Sequence, residues 1–266
     1  MVKILFRKSL AEEGECEVAK RYFDVIESRS LIQSGDNIIC RYSALPYYQE
    51  MEKDVLNLGG TLVNSYMDHQ FVADLKTWYP FLFDLTPKTW FSLAEVCQDP
   101  YEGPYVLKGK TNSRKNLWRT HMFAKDKQEM REVYFRLQDD GLTGDQGIVI
   151  RQFERFKSYG EAISGMPITK EFRFFVFNDK VIAKGFYWSS HPEVIDKHKP
   201  DVNEVPTSFI NEVLWRVGDK MNFYVFDVAQ REDGEWRVVE LNDGQMSGLS
   251  CIDPDELYSN LAEACQ

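Results

Sequence analysis

The chain has 266 residues, 43% hydrophobic and 28% charged, with a net charge of −10, which is enough for a substantial core in two domains or one elaborated domain. The acidic balance argues against a broad nucleic-acid surface and leaves room only for a local basic cleft. No apolar run approaches the roughly 20 residues that span a bilayer, and MVKILFRKSL lacks the apolar stretch and cleavage site of a secretory signal, so a cytoplasmic protein is expected.

Val2–Phe6 reads as a short strand and Ser9–Arg21 as a helix whose early acids and late Lys20 and Arg21 match the helix dipole. Phe23–Ile26 and Asn37–Cys40 read as strands. Pro46–Leu58 reads as a helix stopped by Gly59-Gly60, and Thr61–Asn64 as the next strand. Such alternation predicts a small, mainly parallel sheet with helices packed on it. Asp68–Tyr79 carries Phe71, Val72, Leu75 and Trp78 at helical spacing, which predicts a helix burying them, with His69 at the surface or in a cap.

Thr86-Pro87-Lys88-Thr89 breaks the pattern, and a domain boundary is expected near Leu85, dividing residues 1–85 from 86–266. Trp90–Cys97 reads as a short helix and Tyr105–Lys108 as a strand ending in a lysine. The loop GKTNSRKNLW then adds Lys110, Arg114 and Lys115, so four cations fall within eight residues. That cluster is either an anion site or a solvated loop. Lys125–Leu137 is a charged helix with Met130, Val133, Tyr134 and Leu137 on one face, and Gly147–Phe156 a strand. Phe172–Phe177 and Val181–Trp188 form a hairpin about Asn178-Asp179. Glu171 and Arg173 share one face of its first strand, where a charged pair must reach solvent or enter a polar cleft. His191–Glu204 is a polar loop whose two histidines, His191 and His198, have no cysteine nearby, and Ser208–Asp219 is an amphipathic helix.

Tyr224–Val228 and Trp236–Leu241 flank the turn Glu232-Asp233-Gly234 as a second hairpin. Glu240 and Asn242, two apart, point the same way, and antiparallel pairing sets Asp227 near them. Three hard oxygen donors so placed suit Mg²⁺, which keeps waters and phosphates as its other ligands. Asp253–Ala264 closes the chain as a helix. The five cysteines are scattered and form no CxxC pair, so neither a zinc site nor a disulfide framework is indicated.

The succession of TPKT, a strand ending in Lys108, a polar loop, a helix, a connecting strand, EFRFFVFNDKVIAKG, a helix, FDVA and VELND resembles the ATP-grasp superfamily. The wording CRYSALPYYQE and ELNDGQMSGL resembles a divergent clade of small ATP-grasp proteins of phages and bacteria. More distantly, the chain is similar to the eukaryotic ATP-grasp protein that assists assembly of a translation initiation factor. The resemblance implies an α/β (α+β) fold: a small N-terminal α/β domain, then an ATP-grasp domain whose two subdomains enclose the nucleotide.

It further implies that Asp227, Glu240 and Asn242 hold one or two Mg²⁺ ions on the phosphates of ATP, with Lys108 reaching the same phosphates. Arg151, Gln152, Phe153 and Glu154 would receive the adenine, chiefly through backbone groups. Arg173 would contact the transferring phosphoryl group or the acyl-phosphate intermediate. The family's additional lysine has no clear counterpart, since Lys88 lies in the TPKT turn, and Arg151, Lys110 or Lys170 is expected to take its place. Lys110–Trp118 also lacks the glycines that the family commonly carries there. The implied activity is ligation of a small-molecule or peptide carboxylate to an amine or other nucleophile through an acyl phosphate, releasing ADP and phosphate. The alternatives are an ATP-binding module that clamps a protein partner, and nucleic-acid end repair or modification, which the net charge of −10 opposes. His191–Glu204 and Ser158–Gly165 are the expected substrate-side loops.

Overall fold

A computed structural model describes residues 1–266. The alternating start of the chain forms β1 (Val2–Leu5), α1 (Glu15–Ala19), β2 (Asp24–Ile26), β3 (Asn37–Ile39), α2 (Tyr48–Asn57) and β4 (Thr61–Leu62). The strands make one parallel sheet in the order β2-β1-β3-β4. Helix α1 is shorter than the Ser9–Arg21 expected, because its N-cap is Gly14 in the left-handed region at φ 81°.

The helix expected over Asp68–Tyr79 is two helices, α3 (Tyr66–Ala73) and α4 (Leu75–Leu82). Asp74 separates them with an extended backbone, and its carboxylate accepts the Lys76 amide as an N-cap. Val72, Leu75 and Trp78 are buried as their spacing predicts. His69 is not at the surface or in a cap. Ser65 and Asp68 complete the capping box of α3, and His69 turns inward to 8% exposure.

The segment carrying the expected boundary near Leu85 pairs with the far end of the chain through the Val238 amide and the Leu85 carbonyl. Beyond it come β5 (Thr89–Trp90), α5 (Leu93–Gln98), β6 (Tyr105–Gly109), β7 (Phe123–Ala124), α6 (Lys127–Gln138) and β8 (Ile148–Gln152). These strands form an antiparallel sheet, β5-β8-β6-β7, on which α6 buries Met130, Val133 and Leu137. A small hairpin of β9 (Ser158–Glu161) and β10 (Pro167–Thr169) follows. Its polar, glycine-containing strands carry too little apolar alternation to be read from sequence.

The central sheet is built from β11 (Glu171–Phe177), β12 (Lys180–Phe186), β13 (Phe223–Gln230) and β14 (Trp236–Asp243) in the antiparallel order β12-β11-β13-β14. Asn178 and Asp179, at φ 46° and 62°, make the tight turn between β11 and β12. Helices α7 (Pro192–His198), α8 (Thr207–Val217) and α9 (Pro254–Ala264) complete the chain. One face of the sheet packs Phe172, Phe174, Tyr224 and Phe226 against Val72, Trp78 and Val213. The other packs Phe175, Phe177, Phe223 and Val225 against Ile4 and Ile39 of the first sheet, Phe6 just after β1, and Leu257 and Leu261 of α9. The first sheet is thus a layer on the last one. No helix is long and apolar enough to cross a membrane.

A fully buried arginine fastens these layers together. Arg41 donates through Nη1 to the carbonyls of Gly244 and Ser247 at 2.7 and 2.8 Å, and through Nη2 to Glu15 Oε1 at 2.7 Å. The hydroxyls of Tyr42 and Tyr258 also donate to Glu15. The turn after β14 is therefore held by the end of β3 and by α1. Arg41→Ala leaves the Glu15 carboxylate and these carbonyls without their partner, and is expected to cost about 3–5 kcal/mol of stability in urea unfolding.

Candidate active site

Strand alternation places Arg173, Asp227, Glu240 and Asn242 on the face of the central sheet that also carries Phe175 and Val225. The register sets Arg173 opposite Asp227 and Asp227 opposite Glu240. Asp227, Glu240 and Asn242 therefore share one face of two adjacent strands, β13 and β14, as expected. Arg173 belongs to the same row: its Nε and Nη2 bind Asp227 Oδ1 and Oδ2 at 2.9 and 2.8 Å, and Nη1 donates to Gly248 O at 2.8 Å. Asp227 is 1% exposed, so the pair is sealed.

Lys108, on β6 of the other antiparallel sheet, donates to Glu240 Oε1 and is the one contact of this row made across the gap between sheets. Burial alone would raise the Glu240 carboxyl, but Lys108, then Lys115 and the Asn242 side chain, hold it down at about 2. Two clefts adjoin this pair, and Lys108 and Glu240 line both.

The first cleft, about 440 Å³, lies between the two antiparallel sheets and is also lined by Arg151, Gln152, Phe153 and Glu154. The Arg151 guanidinium is committed within the protein. It donates to the carbonyl of Val239 at 2.7 Å, where β14 bulges, and to Thr86 Oγ1 at 2.6 Å. Burial lowers the Arg151 pKa to about 10. The amides of Gln152 and Phe153 are also taken, by Lys88 O and Pro104 O. Adenine recognition through those two amides is thus closed in this conformation. Glu154 Oε2, in contrast, is buried without a hydrogen bond, 3.3 Å from Arg237 Nε.

The four-cation cluster divides between sites. Lys108 stands at the junction and Lys110 pairs with Asp74 at 3.2 Å on the second cleft, whereas Arg114 turns away onto Asp140. Lys115 lines the first cleft and donates to Tyr187 OH at 2.6 Å. Lys170 is outside both linings. Its neighbours Thr169 and Glu171 take the cleft side of the strand, so Lys170 faces the opposite way and meets Glu204. Lys88 pairs with Asp99. Of the expected substrate-side loops, Ser158 and Glu161 line the first cleft, and His191–Glu204 contributes to neither. His191 meets Glu193 and His198 stacks on Tyr159.

Glu171 enters the polar cleft, as an acid on an apolar strand must, while Arg173 finds its partner inside the sheet. The Glu171 carboxylate accepts Thr169 Oγ1 at 2.7 Å. Burial pushes its pKa up to about 7, with Lys115 opposing and Asp227 adding to the rise.

The second cleft, about 390 Å³, is walled by the first 85 residues on one side, with Leu45, Pro46, Val72 and Trp78, and by Lys108, Lys110, Glu240 and Asn242 on the other. His69 and Asp243 also line it. Sequence spacing gave no sign of these two, which lie 174 residues apart.

The family model that matches the chain describes an ATP-grasp domain, the third family of its clade, and it covers residues 97–261, more than half of the chain. The chain belongs to this ATP-grasp family. Among solved structures it is similar to the RimK-domain ATP-grasp protein of Sphaerobacter thermophilus, with a TM-score of 0.60 and 13% identity over 99% of each chain. D-cycloserine synthetase DcsG matches with a TM-score of 0.61 and 10% identity, over 100% of this chain and 99% of that one. The ATP-grasp ligase PsnB, complexed with a minimal precursor, matches with a TM-score of 0.59 and 11% identity, over 100% and 98%. At these identities the likeness concerns the fold. No curated protein sequence matches the chain.

The residues of this ATP-grasp chain suit a metal nucleotide. Lys108, Lys115, Arg151 and Arg155 face five glutamates in the first cleft, Glu154, Glu161, Glu171, Glu232 and Glu240, so side chains alone leave a polyanion uncompensated. Mg²⁺ is usually held by one or two carboxylates plus phosphates, and no group of three or more His, Cys, Asp or Glu side chains gathers as a self-sufficient metal cluster. Glu240 and Asn242 offer oxygens beside the junction. Asp227 does so only if its bidentate pair with Arg173 opens.

Glu171 gives this site a pH signature. A carboxyl with a raised folded pKa binds its proton more tightly in the native state. Its contribution to stability is fully present below the unfolded value near 4.5 and is lost as pH rises through about 7. Glu171→Gln removes that slope. Relative to the parent, the variant is expected to gain on the order of 3 kcal/mol in urea unfolding between pH 4 and pH 8.

Proposed function

We propose that the chain is an ATP- and Mg²⁺-dependent ligase that joins a small-molecule or peptide carboxylate to an amine, releasing ADP and phosphate. The observation that carries this reading is the Lys108–Glu240 pair, which stands where two adjoining clefts of about 440 and 390 Å³ meet. Nucleotide in the first cleft and carboxylate in the second would bring the γ-phosphate and the attacking oxygen together at that junction. Family membership supports the nucleotide half. Among the fold neighbours, PsnB is named an ATP-grasp ligase and was solved with Mg and ADP, and DcsG is named a synthetase.

The proposed chemistry has two steps. The substrate carboxylate attacks the γ-phosphorus and ADP leaves. The amine then attacks the carbonyl carbon of the acyl phosphate and phosphate leaves. Neither step needs a protein nucleophile, so the chain's task is positioning and charge compensation. Lys108 and Lys115 are assigned to the phosphates, and Glu240 and Asn242 to the metal. Glu240 and Asn242 would hold Mg²⁺ there, which when bound would supply charge neutralisation for the phosphates. Asp227 fixes the Arg173 guanidinium and would be available to the metal only if that pair opened, and Arg151 holds the Val239 bulge that sets Glu240 in place. In this division of labour residues 86–266 handle the nucleotide and residues 1–85 wall the second substrate.

Lys108→Met removes a charge-assisted hydrogen bond of about 1.5–3 kcal/mol, so ATP affinity by calorimetry is expected to fall roughly 10- to 100-fold. With a competent carboxylate and amine the products are ADP and phosphate. Chromatographic detection of AMP and pyrophosphate instead would remove this mechanism.

A further inference from the structure

The second cleft contains a histidine that the two steps above leave without a role. We propose that His69, held by Asp243, is the general base that takes the proton from the attacking amine. The proposal rests on the ligase reading, and it assigns the acceptor as a primary amine with an apolar body.

His69 Nδ1 lies 3.1 Å from Asp243 Oδ2, and the His69 ring stacks on Tyr48 with centroids 4.5 Å apart and planes 24° from parallel. The surrounding network leaves one tautomer. The Phe223 amide donates to Asn64 Oδ1 and the Cys40 amide to Gln245 Oε1, which fixes the orientation of both side-chain amides. Asn64 Nδ2 and the Gln245 amide then donate to Asp243 Oδ1, each at 2.9 Å. The Tyr48 hydroxyl receives Gln245 Nε2 at 2.6 Å and has a single proton to give. Its nearer acceptor is the Asn64 carbonyl at 2.9 Å rather than Asp243 Oδ2 at 3.3 Å. Oδ2 therefore accepts Nδ1–H of His69, and the lone pair resides on Nε2. Nε2 is not among the sealed, unpartnered atoms of the interior, and His69 lines the cleft.

The other ionisable groups of that lining serve poorly as a base. Lys108 and Glu240 are paired with each other, and Lys110 is paired with Asp74. Asp243 is 3% exposed and already accepts three hydrogen bonds. His69 is the remaining lone-pair donor. Leu45, Pro46, Val72, Leu75, Trp78 and Met246 line the same cleft and give it apolar surface for the body of the amine. In the proposed step the amine nitrogen bonds to the carbonyl carbon and one of its N–H bonds breaks, with the proton passing to His69 Nε2. The carbon–oxygen bond to phosphate breaks with its electron pair leaving on phosphate, and the imidazolium then returns its proton to water.

The test compares the parent with His69→Gln, using a panel of amino acids and short peptides as carboxylates and two acceptors, isobutylamine and hydroxylamine. Hydroxylamine is a free base at neutral pH and a strong nucleophile, so it reports acyl-phosphate formation without needing a protein base. Amide formation with isobutylamine is expected to fall about 10²- to 10⁴-fold in His69→Gln while hydroxamate formation stays within about threefold of the parent. Equal losses with both acceptors, or an undiminished rate with isobutylamine, overturn the assignment. If the parent forms no hydroxamate with any carboxylate, the ligase reading fails and the base falls with it, an outcome visible in the parent alone. A substrate-free readout is the ¹H–¹⁵N correlation spectrum of the parent. Neutral His69 is expected to show a proton on Nδ1 and a bare Nε2, and the reverse tautomer overturns the proposal.

Discussion

A charge withdrawn from water needs a partner held close, because leaving it alone costs several kcal/mol. At one end of the central sheet the apolar rows of β11, β13 and β14 give way to Arg173, Asp227 and Glu240 on adjacent strands, with Lys108 closing the row from the facing sheet. Each charge is the condition for burying the next. The chain thereby obtains a polar seam inside a well-packed interior, and the two clefts open on either side of its outermost pair. Arg173 and Asp227 are too deep to line either cleft, so the chemistry available at the surface of the seam is that of Lys108, Glu240 and Asn242.

The same demand explains why the first layer cannot be separated from the last. Arg41 and Glu15 are fully buried, and Arg41 satisfies carbonyls of the turn Gly244–Ser247. Asp243, one residue before that turn, is held by Asn64 and His69. The segments CRYSALPYYQE and ELNDGQMSGL are thus two halves of one buried network, and the position of β14 in the site depends on side chains from the start of the chain.

Much of this was legible because it follows from local periodicity. Alternation in FYVFDVAQ and WRVVELND fixes which side chains share a face, and pairing about a tight turn brings Asp227 opposite Glu240. The parallel first sheet follows from the spacing of its short strands and helices. Direction was harder to read than proximity. Arg173 has the right parity to face a ligand, yet a carboxylate on the neighbouring strand takes it first. Lys170, one of three candidates for the family's additional lysine, is excluded from the cleft because its neighbours have the cleft parity. Arg151 lines the cleft while its guanidinium is spent on Val239 and Thr86. The partners of His69 and Arg41 lie beyond sequence distances at which any spacing rule operates, and the break at Asp74 depends on a capping carboxylate that competes with continued helix.

The most direct test of a nucleotide site at the Lys108–Glu240 junction is a crystal structure with a non-hydrolysable ATP analogue and Mg²⁺. Adenine is expected in the first cleft and the triphosphate at the junction, with Lys108 turned from Glu240 to a phosphate and a metal ion on the oxygens of Glu240 and Asn242. A nucleotide bound elsewhere, with the Lys108–Glu240 pair intact and no metal on Glu240, would contradict it.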